Sequence, residues 1–384
     1  MSALTKAISY TKRLFIVGVV ILAGIIIMSF ITSIVSKIIK NNKLAHKNQI
    51  ATQSFGSIVP PVFKSISLPS GDNPSYILST PSGGFPQVGN IMNIYKVISP
   101  QISIDSLANA QTIVSNMGVQ NVNSYKQLGD VQYEWQSNEH NIIFNIDSLN
   151  FTINLTTSIN SYLSYQAQNQ YTTNNFSSPS DAVSTVYDFL SSLSTASASQ
   201  NSLIPSLNIS NFSTVPVSIN PESGSIDLSN VTGALTNGYY VFYSKNINGY
   251  KVYSDNPKTS TIQFLIDSTD ISNLDSLIQA SFVNYRINTS SYSTYYIISP
   301  ETAYSEIKSG KGSLVYISQD NTDSLSPESS PQAVSKFYIN NISLGYYQGN
   351  NYRQYLTPIY VFSGVAYFAN GTQGIFDYYV NALS

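Results

Sequence analysis

Three short runs carry residue types that could support serine acyl transfer. Ser305-Glu306-Ile307-Lys308 places a hydroxyl and an amine three residues apart, on one face if the run is helical. Ser254-Asp255-Asn256 supplies an S-D-N element, and Lys258-Thr259-Ser260 approximates K-T-G. Serine enzymes that use these elements carry S-x-x-K first and the other two far apart along the chain. Here S-D-N and K-T-S are one residue apart and S-x-x-K comes last. In a chain this rich in serine, such matches arise by chance. The order argues for a polar turn and a helix face.

Other candidates are weaker. Ser309-Gly310-Lys311-Gly312-Ser313 hints at a phosphate loop but lacks the upstream glycine and the Gly-Lys-Ser/Thr order, so it reads as a helix stop. Asp267, Asp270, Asn273 and Asp275, and separately Asp320, Asn321 and Asp323, offer oxygens suited to Ca²⁺. Neither run has the glycine or distal glutamate of an EF-hand, and both read as solvated loops. Glu134 and Glu139 flank a predicted hairpin, where paired carboxylates are more often exposed than catalytic. His46 and His140 are too few for a zinc site. No cofactor or metal is expected, and the chain does not read as an enzyme. The nine Asn-x-Ser/Thr sites (Asn150, Asn154, Asn175, Asn208, Asn211, Asn230, Asn288, Asn341, Asn370) are about the number that the Ser and Thr content gives by accident.

The elements that must position these residues begin with a membrane segment. Leu14 to Val35 holds no ionisable side chain. As a helix rising about 1.5 Å per residue it would cross a hydrocarbon core of about 30 Å. The stretch is too long for a cleaved signal core and no small-residue cleavage site follows, so a signal anchor is expected. Lys6, Lys12 and Arg13 precede it, and Lys37, Lys40, Lys43 and Lys47 follow, so charge alone does not orient it. Composition places the body outside, on a single-pass anchor in the cell membrane. Only 10% of residues are charged, there are 29 tyrosines and no cysteine, and Ser, Asn, Thr and Tyr do the solvating. The first 48 residues carry +7 and the remainder 11 − 20 = −9, which leaves no basic stripe for nucleic acid.

The predicted organisation is α+β. A tail (1–13) and span (14–35) precede a Pro/Gly-rich stalk and linker (36–100). Three modules of helix plus antiparallel sheet follow, at 101–157, 178–297 and 298–384. Leu107, Ala110, Val114 and Met117 share a helical face that Gly118 ends. Ser178-Pro179-Ser180-Asp181 and Ser299-Pro300-Glu301-Thr302 are helix starts, the first followed by a stripe of Ala182, Val186, Phe189, Leu190 and Leu193. VQYEWQ, IIFNID, NFTINLT, GYYVFYS, YKVYS and the three aromatic runs after 334 alternate as strands, with Ile247-Asn248-Gly249 as a hairpin turn. Trp135 is expected in a core.

The run ISPETAYSEIKSGKGS, then ISLGYY, then YLTPIYVFSG, resembles the end of PepSY-like modules in YycH/YycI-type membrane-anchored bacterial proteins. YVFYSKNINGYKVYS resembles an earlier strand pair of that family, so the likeness covers about 238–384. It implies an extracytoplasmic regulator that acts by contact, for instance on a sensor kinase, and carries over no contact residues. The expected partner is another envelope protein, or a peptide added to a sheet edge. Tyr239, Tyr243, Tyr250, Tyr346, Tyr347, Tyr360 and Phe362 are the candidate partner-binding surface, with sheet packing as their alternative role. A structural envelope component and an unfamiliar cell-wall enzyme are the rival readings.

Overall fold

The computed structural model describes residues 50–69, 73–137, 139–168, 176–193, 207–228, 236–269, 271, 274–319 and 325–384. The predicted tail, the span at 14–35 and the stalk to residue 49 lie outside them. No helix among the described residues is long and apolar enough to cross a membrane. The expected single-pass, PepSY-like description is therefore corrected. The described chain is mainly β and builds two large sheets.

The first sheet has nine strands, all antiparallel to their neighbours. In spatial order they are β3 (Tyr125–Gln127), β4 (Gln132–Gln136), β5 (His140–Asn145), β6 (Asn150–Leu155), β13 (Leu277–Phe282), β12 (Ile262–Ile266), β9 (Gly238–Tyr243), β7 (Phe212–Ile219) and β8 (Ile226–Leu228). The second sheet also has nine, in the order β10 (Asn246–Ile247), β11 (Tyr250–Tyr253), β16 (Val334–Tyr347), β17 (Tyr355–Phe368), β18 (Gln373–Asn381) and β15 (Ser313–Gln319). β1 (Ser75–Leu78) and β11 each run parallel to β16. β2 (Ile91–Val97) joins the end of β17 and carries β14 (Ile287–Tyr296) on its other side. Strands from 101–157 and 178–297 thus share one sheet, which corrects the expected series of separate helix-plus-sheet modules.

The physical reason is the apolar period. Outside four helices, the described chain alternates in steps of two, and the long connections that lack helical stripes supply further strands. The stretch expected as linker contributes β1 and β2, and the chain between the Ala182–Leu193 stripe and GYYVFYS contributes β7 and β8. The GYYVFYS and YKVYS runs do not pair with each other. Asn248 and Gly249, both at positive φ, turn the chain between β10 and β11, while β9 stays in the first sheet.

Helices α1 (Ser106–Asn116) and α3 (Pro179–Leu193) pack on one face of the first sheet, and their apolar stripes are those expected. Asp181 reaches back to the Ser177 and Ser178 amides at 2.8 and 2.9 Å, so its carboxylate serves donors that α3 leaves free. Helix α2 (Ile159–Gln168) covers part of the opposite face through Ile159, Tyr162 and Leu163. Helix α4 (Pro300–Lys308) is capped by Ser299, whose hydroxyl accepts from the Thr302 amide, and buries Ala303 and Ile307 on the second sheet. The other face of that sheet is covered by the N-terminal arm, where Phe63 packs edge-on against Tyr347 and Tyr379.

Trp135 is fully buried among Tyr125, Tyr133 and Phe144, and its Nε1 donates to the Val122 carbonyl at 2.8 Å. Trp135→Phe orphans that carbonyl and leaves a void, so it is expected to lower stability by about 1–3 kcal/mol. Urea denaturation followed by circular dichroism measures this, since the substitution removes the only tryptophan.

Candidate functional site

The chain passes between the two sheets four times: from β2 to α1, from β9 to β10, from β11 to β12 and from β13 to β14. Two of these crossings, 98–105 and 283–286, run side by side with the 146–149 turn and enclose a cleft of about 410 Å³. The Ile98 amide donates to the Arg286 carbonyl at 2.8 Å, the Gln101 amide to the Asp147 carbonyl at 3.2 Å, and the Asn284 amide to Asn150 Oδ1 at 2.8 Å. These bonds hold irregular backbone in place at a seam that neither sheet's ladder reaches.

The lining is mostly polar. Asp105, Asp147 and Arg286 contribute charge, and Ser99, Ser103, Ser106, Ser148, Asn109 and Asn284 contribute hydroxyls and amides. Among the described residues, ion pairs join Lys126 to Glu134 and Lys258 to Asp377, and none ties up the cleft's three charges. The first turn of α1 opens here, and the Asp105 side chain makes no capping bond to it. Ile98 lines the cleft and is 43% exposed, and Ile102 and Ile104, which do not line it, are 60% and 98% exposed. Gln101, Ser103 and Asp105 line the cleft, so Ile102 and Ile104 between them turn the other way where the backbone is extended. No imidazole or lysine lines the cleft beside its serines. The arrangement can hold a polar extended chain by hydrogen bonds and flank it with apolar contacts.

Behind the cleft wall lies Lys245. Its Nζ donates to the Tyr285 carbonyl at 3.2 Å and to Gln348 Oε1 at 2.8 Å, and the Gln348 amide also reaches the Tyr285 carbonyl, at 3.2 Å. Its partners are neutral, and burial pulls its pKa down to about 7. This amine therefore ties together two of the seam crossings and the β16–β17 turn. Tyr285 itself lines the cleft, and burial raises its phenol pKa.

The sequence-derived candidates lie elsewhere. Tyr239 and Tyr243 are buried in the core under α1 and α3. Tyr346, Tyr360 and Phe362 are buried on the α4 side of the second sheet, and Tyr347 on its other face. Tyr250 is 39% exposed, so of the seven it alone offers substantial surface. Ser305 Oγ donates to the Glu301 carbonyl at 2.9 Å within α4, and Lys308 sits over the Tyr304 ring. Ser254 and Lys258 instead belong to a loop on the opposite face, where Ser254 Oγ donates to the carbonyls of Asn256 and Thr259. The S-x-x-K element on α4 therefore stays apart from the other two, which share that loop. Gly310, at positive φ, ends α4 as a stop.

Glu134 pairs with Lys126 at 3.8 Å and accepts from Asn141 Nδ2 at 2.7 Å, and Glu139 lies in the β4–β5 turn. Asp267 and Asp275 are described; Asp270, Asn273, Asp320, Asn321, Asp323 and His46 lie outside the described residues. Among the described residues no three Asp, Glu, His or Cys side chains converge to hold a metal ion. Asn150 is buried and accepts the Asn284 amide, which makes it a structural asparagine.

No family model and no curated protein matches the chain. Among solved structures it is similar to the crystal structure of an uncharacterized protein from Eubacterium rectale ATCC 33656. That likeness has 11% identity and a TM-score of 0.34 and covers 90% of this chain and 97% of the other. At that distance it carries no argument about function.

The cleft was invisible to sequence reasoning because its walls come from positions about 50 and 180 residues downstream of the 98–105 crossing. Ile102-Ser103-Ile104 was the available signal: two isoleucines ahead of a helix whose own stripe begins only at Leu107.

Proposed function

We propose that this protein is an extracytoplasmic binding protein that acts by contact, seating an extended segment of another envelope protein in the seam cleft. The observation that carries the reading is the cleft itself, where three charges that pair with no other described residue and several serine hydroxyls sit beside the exposed Ile98. An exposed apolar side chain is ordinary by itself, but one at the wall of a polar cavity gives an extended segment an apolar contact beside its hydrogen bonds. The low charge and the Ser, Asn, Thr and Tyr bias of the body support a location outside the cytoplasm. The likeness of 238–384 to YycH/YycI-type regulators directs the reading toward a regulatory contact, with a sensor kinase as the first partner to test.

A photo-crosslinking residue at Ile98, which lines the cleft and is exposed, tests this in the full chain in its native cells. The expected product is a covalent adduct with a distinct envelope protein. The crosslinked segment, made as a peptide, should bind the purified chain and lose about tenfold in affinity, or about 1.4 kcal/mol, on Ile98→Ser. Adducts with further copies of the chain alone would overturn the reading and favour a structural envelope component.

A further inference from the structure

A second arrangement lies away from the cleft and stands on its own geometry. Helix α2 covers an apolar patch of the first sheet made by Val217, Ile219, Leu265 and Ile278. Tyr162 is its anchor. The phenol donates to the Asp275 carbonyl, and the ring meets the His140 imidazole edge-on at 5.7 Å. His140 is itself buried and donates from Nε2 to the Leu277 carbonyl at 2.5 Å, which fixes its tautomer. Burial lowers its pKa, against the bond to the Leu277 carbonyl, which raises it, so its surroundings favour the neutral imidazole.

Just beyond β12, beside this anchor, sits Asp267. It is 8% exposed, and neither carboxylate oxygen meets a donor in good hydrogen-bond geometry. A buried carboxylate left this way strongly disfavours its own ionisation. The groups around it make matters worse. Asp267, Asp275 and the turn residue Glu139 all act on the Tyr162 hydroxyl as negative charges. No lysine or arginine contributes to the state of Asp267; its own backbone amide and the Ser276 hydroxyl give limited relief, and burial dominates, holding its pKa up to about 7.

We propose that Asp267 is a proton-operated latch for helix α2: while its carboxyl is neutral the helix stays docked through Tyr162, and when it ionises the helix lifts and uncovers the Val217–Ile219–Leu265–Ile278 patch. The sign follows from linkage. The docked state has the raised pKa and binds the proton more tightly, whereas in the lifted state Asp267 is hydrated and titrates near 4, as an ordinary aspartate does. Docking is therefore strongest in acid. The opening equilibrium rises by up to tenfold per pH unit from about 4 to about 7 and levels off above.

Hydrogen exchange of the α2 amides in the full chain tests the latch, after correction for the intrinsic pH dependence of exchange. Between pH 5.5 and 7.5 the opening equilibrium should rise at least tenfold in the natural chain and stay level in Asp267→Asn, which has no carboxylate to ionise. The Asp267 carboxyl carbon, followed by NMR in the unsubstituted chain, should titrate near pH 7. A titration near 4, or a pH response that Asp267→Asn leaves intact, overturns the proposal.

Discussion

Gly364→Ala is expected to break the second sheet at its centre. Gly364 lies in β17 opposite Ile339 of β16, beside the register shift between Ile339 and Asn341. A Cβ placed there would sit 1.8 Å from the Tyr338 carbonyl oxygen and 2.9 Å from its carbon. Both atoms are backbone in a 14-residue strand paired along most of its length, so no rotamer change relieves the overlap. The ladder must part locally, and Phe337, Ile339, Phe362 and Ala366, buried around this point, must repack. Gly→Ala in an open position usually stabilises by up to about 1 kcal/mol through the unfolded state. Here the clash should reverse the sign and cost more than about 3 kcal/mol. Gly84→Ala is the control, since its Cβ would meet nothing within 4 Å. Thermal denaturation of the two variants should separate them clearly. A Gly364→Ala chain as stable as the natural one would refute the β16–β17 register.

Local structure was legible wherever one residue type settles one backbone choice. Ser299 ahead of Pro300 capped its helix, Asp181 reached back as its spacing required, and Asn248-Gly249 made a tight turn. The apolar stripe from Ala182 to Leu193 is buried as its period demands. What each turn connects was not legible. The Asn-Gly hairpin reads the same whether its incoming strand is β9 or the two-residue β10, and long-range pairing decides between them. Sheet membership depends on contacts such as Leu265 with Gln279 and Phe282 with Phe151, which no local window contains. Tyrosine was the most ambiguous letter. Its ring suits a core and its hydroxyl suits a surface, and here buried tyrosines satisfy both demands by donating to backbone, as Tyr360 does to Ile298 and Tyr346 to Asn93. The aromatic strands thus looked like a binding face and are largely interior.

Lys258→Met is the second change expected to have a large effect, and it acts on a crossing between the sheets. Asp377 of β18 is buried; its Oδ1 accepts from Ser363 Oγ, its partner in register on β17, and its Oδ2 lies 3.3 Å from Lys258 Nζ. Lys258 also sits 5.1 Å over the ring of Tyr316, which faces Asp377 from β15. The same loop is held by Tyr379, whose hydroxyl donates to the Ser254 carbonyl at 2.9 Å, and by Tyr347, which donates to Asp255. Burial raises the Asp377 pKa despite Lys258, Ser363 and the more distant Lys251, so the carboxylate depends on its cation. Removing that cation leaves a buried charge, a change that costs about 3 kcal/mol or more. Asp377→Asn should cost less, because Lys258 is partly exposed and can rehydrate. Combining the two should recover about 2 kcal/mol relative to the sum of the single effects. The pH dependence follows from the raised pKa. Without Lys258 it rises further, so the folded chain holds the proton more tightly than the unfolded one. The deficit of Lys258→Met is then largest at pH 8 and shrinks as acid protonates Asp377. Urea titrations of the four chains at pH 5 and pH 8 measure both terms. A coupling near zero at pH 8 would mean that the pair contributes nothing to holding the 254–261 crossing against the sheet.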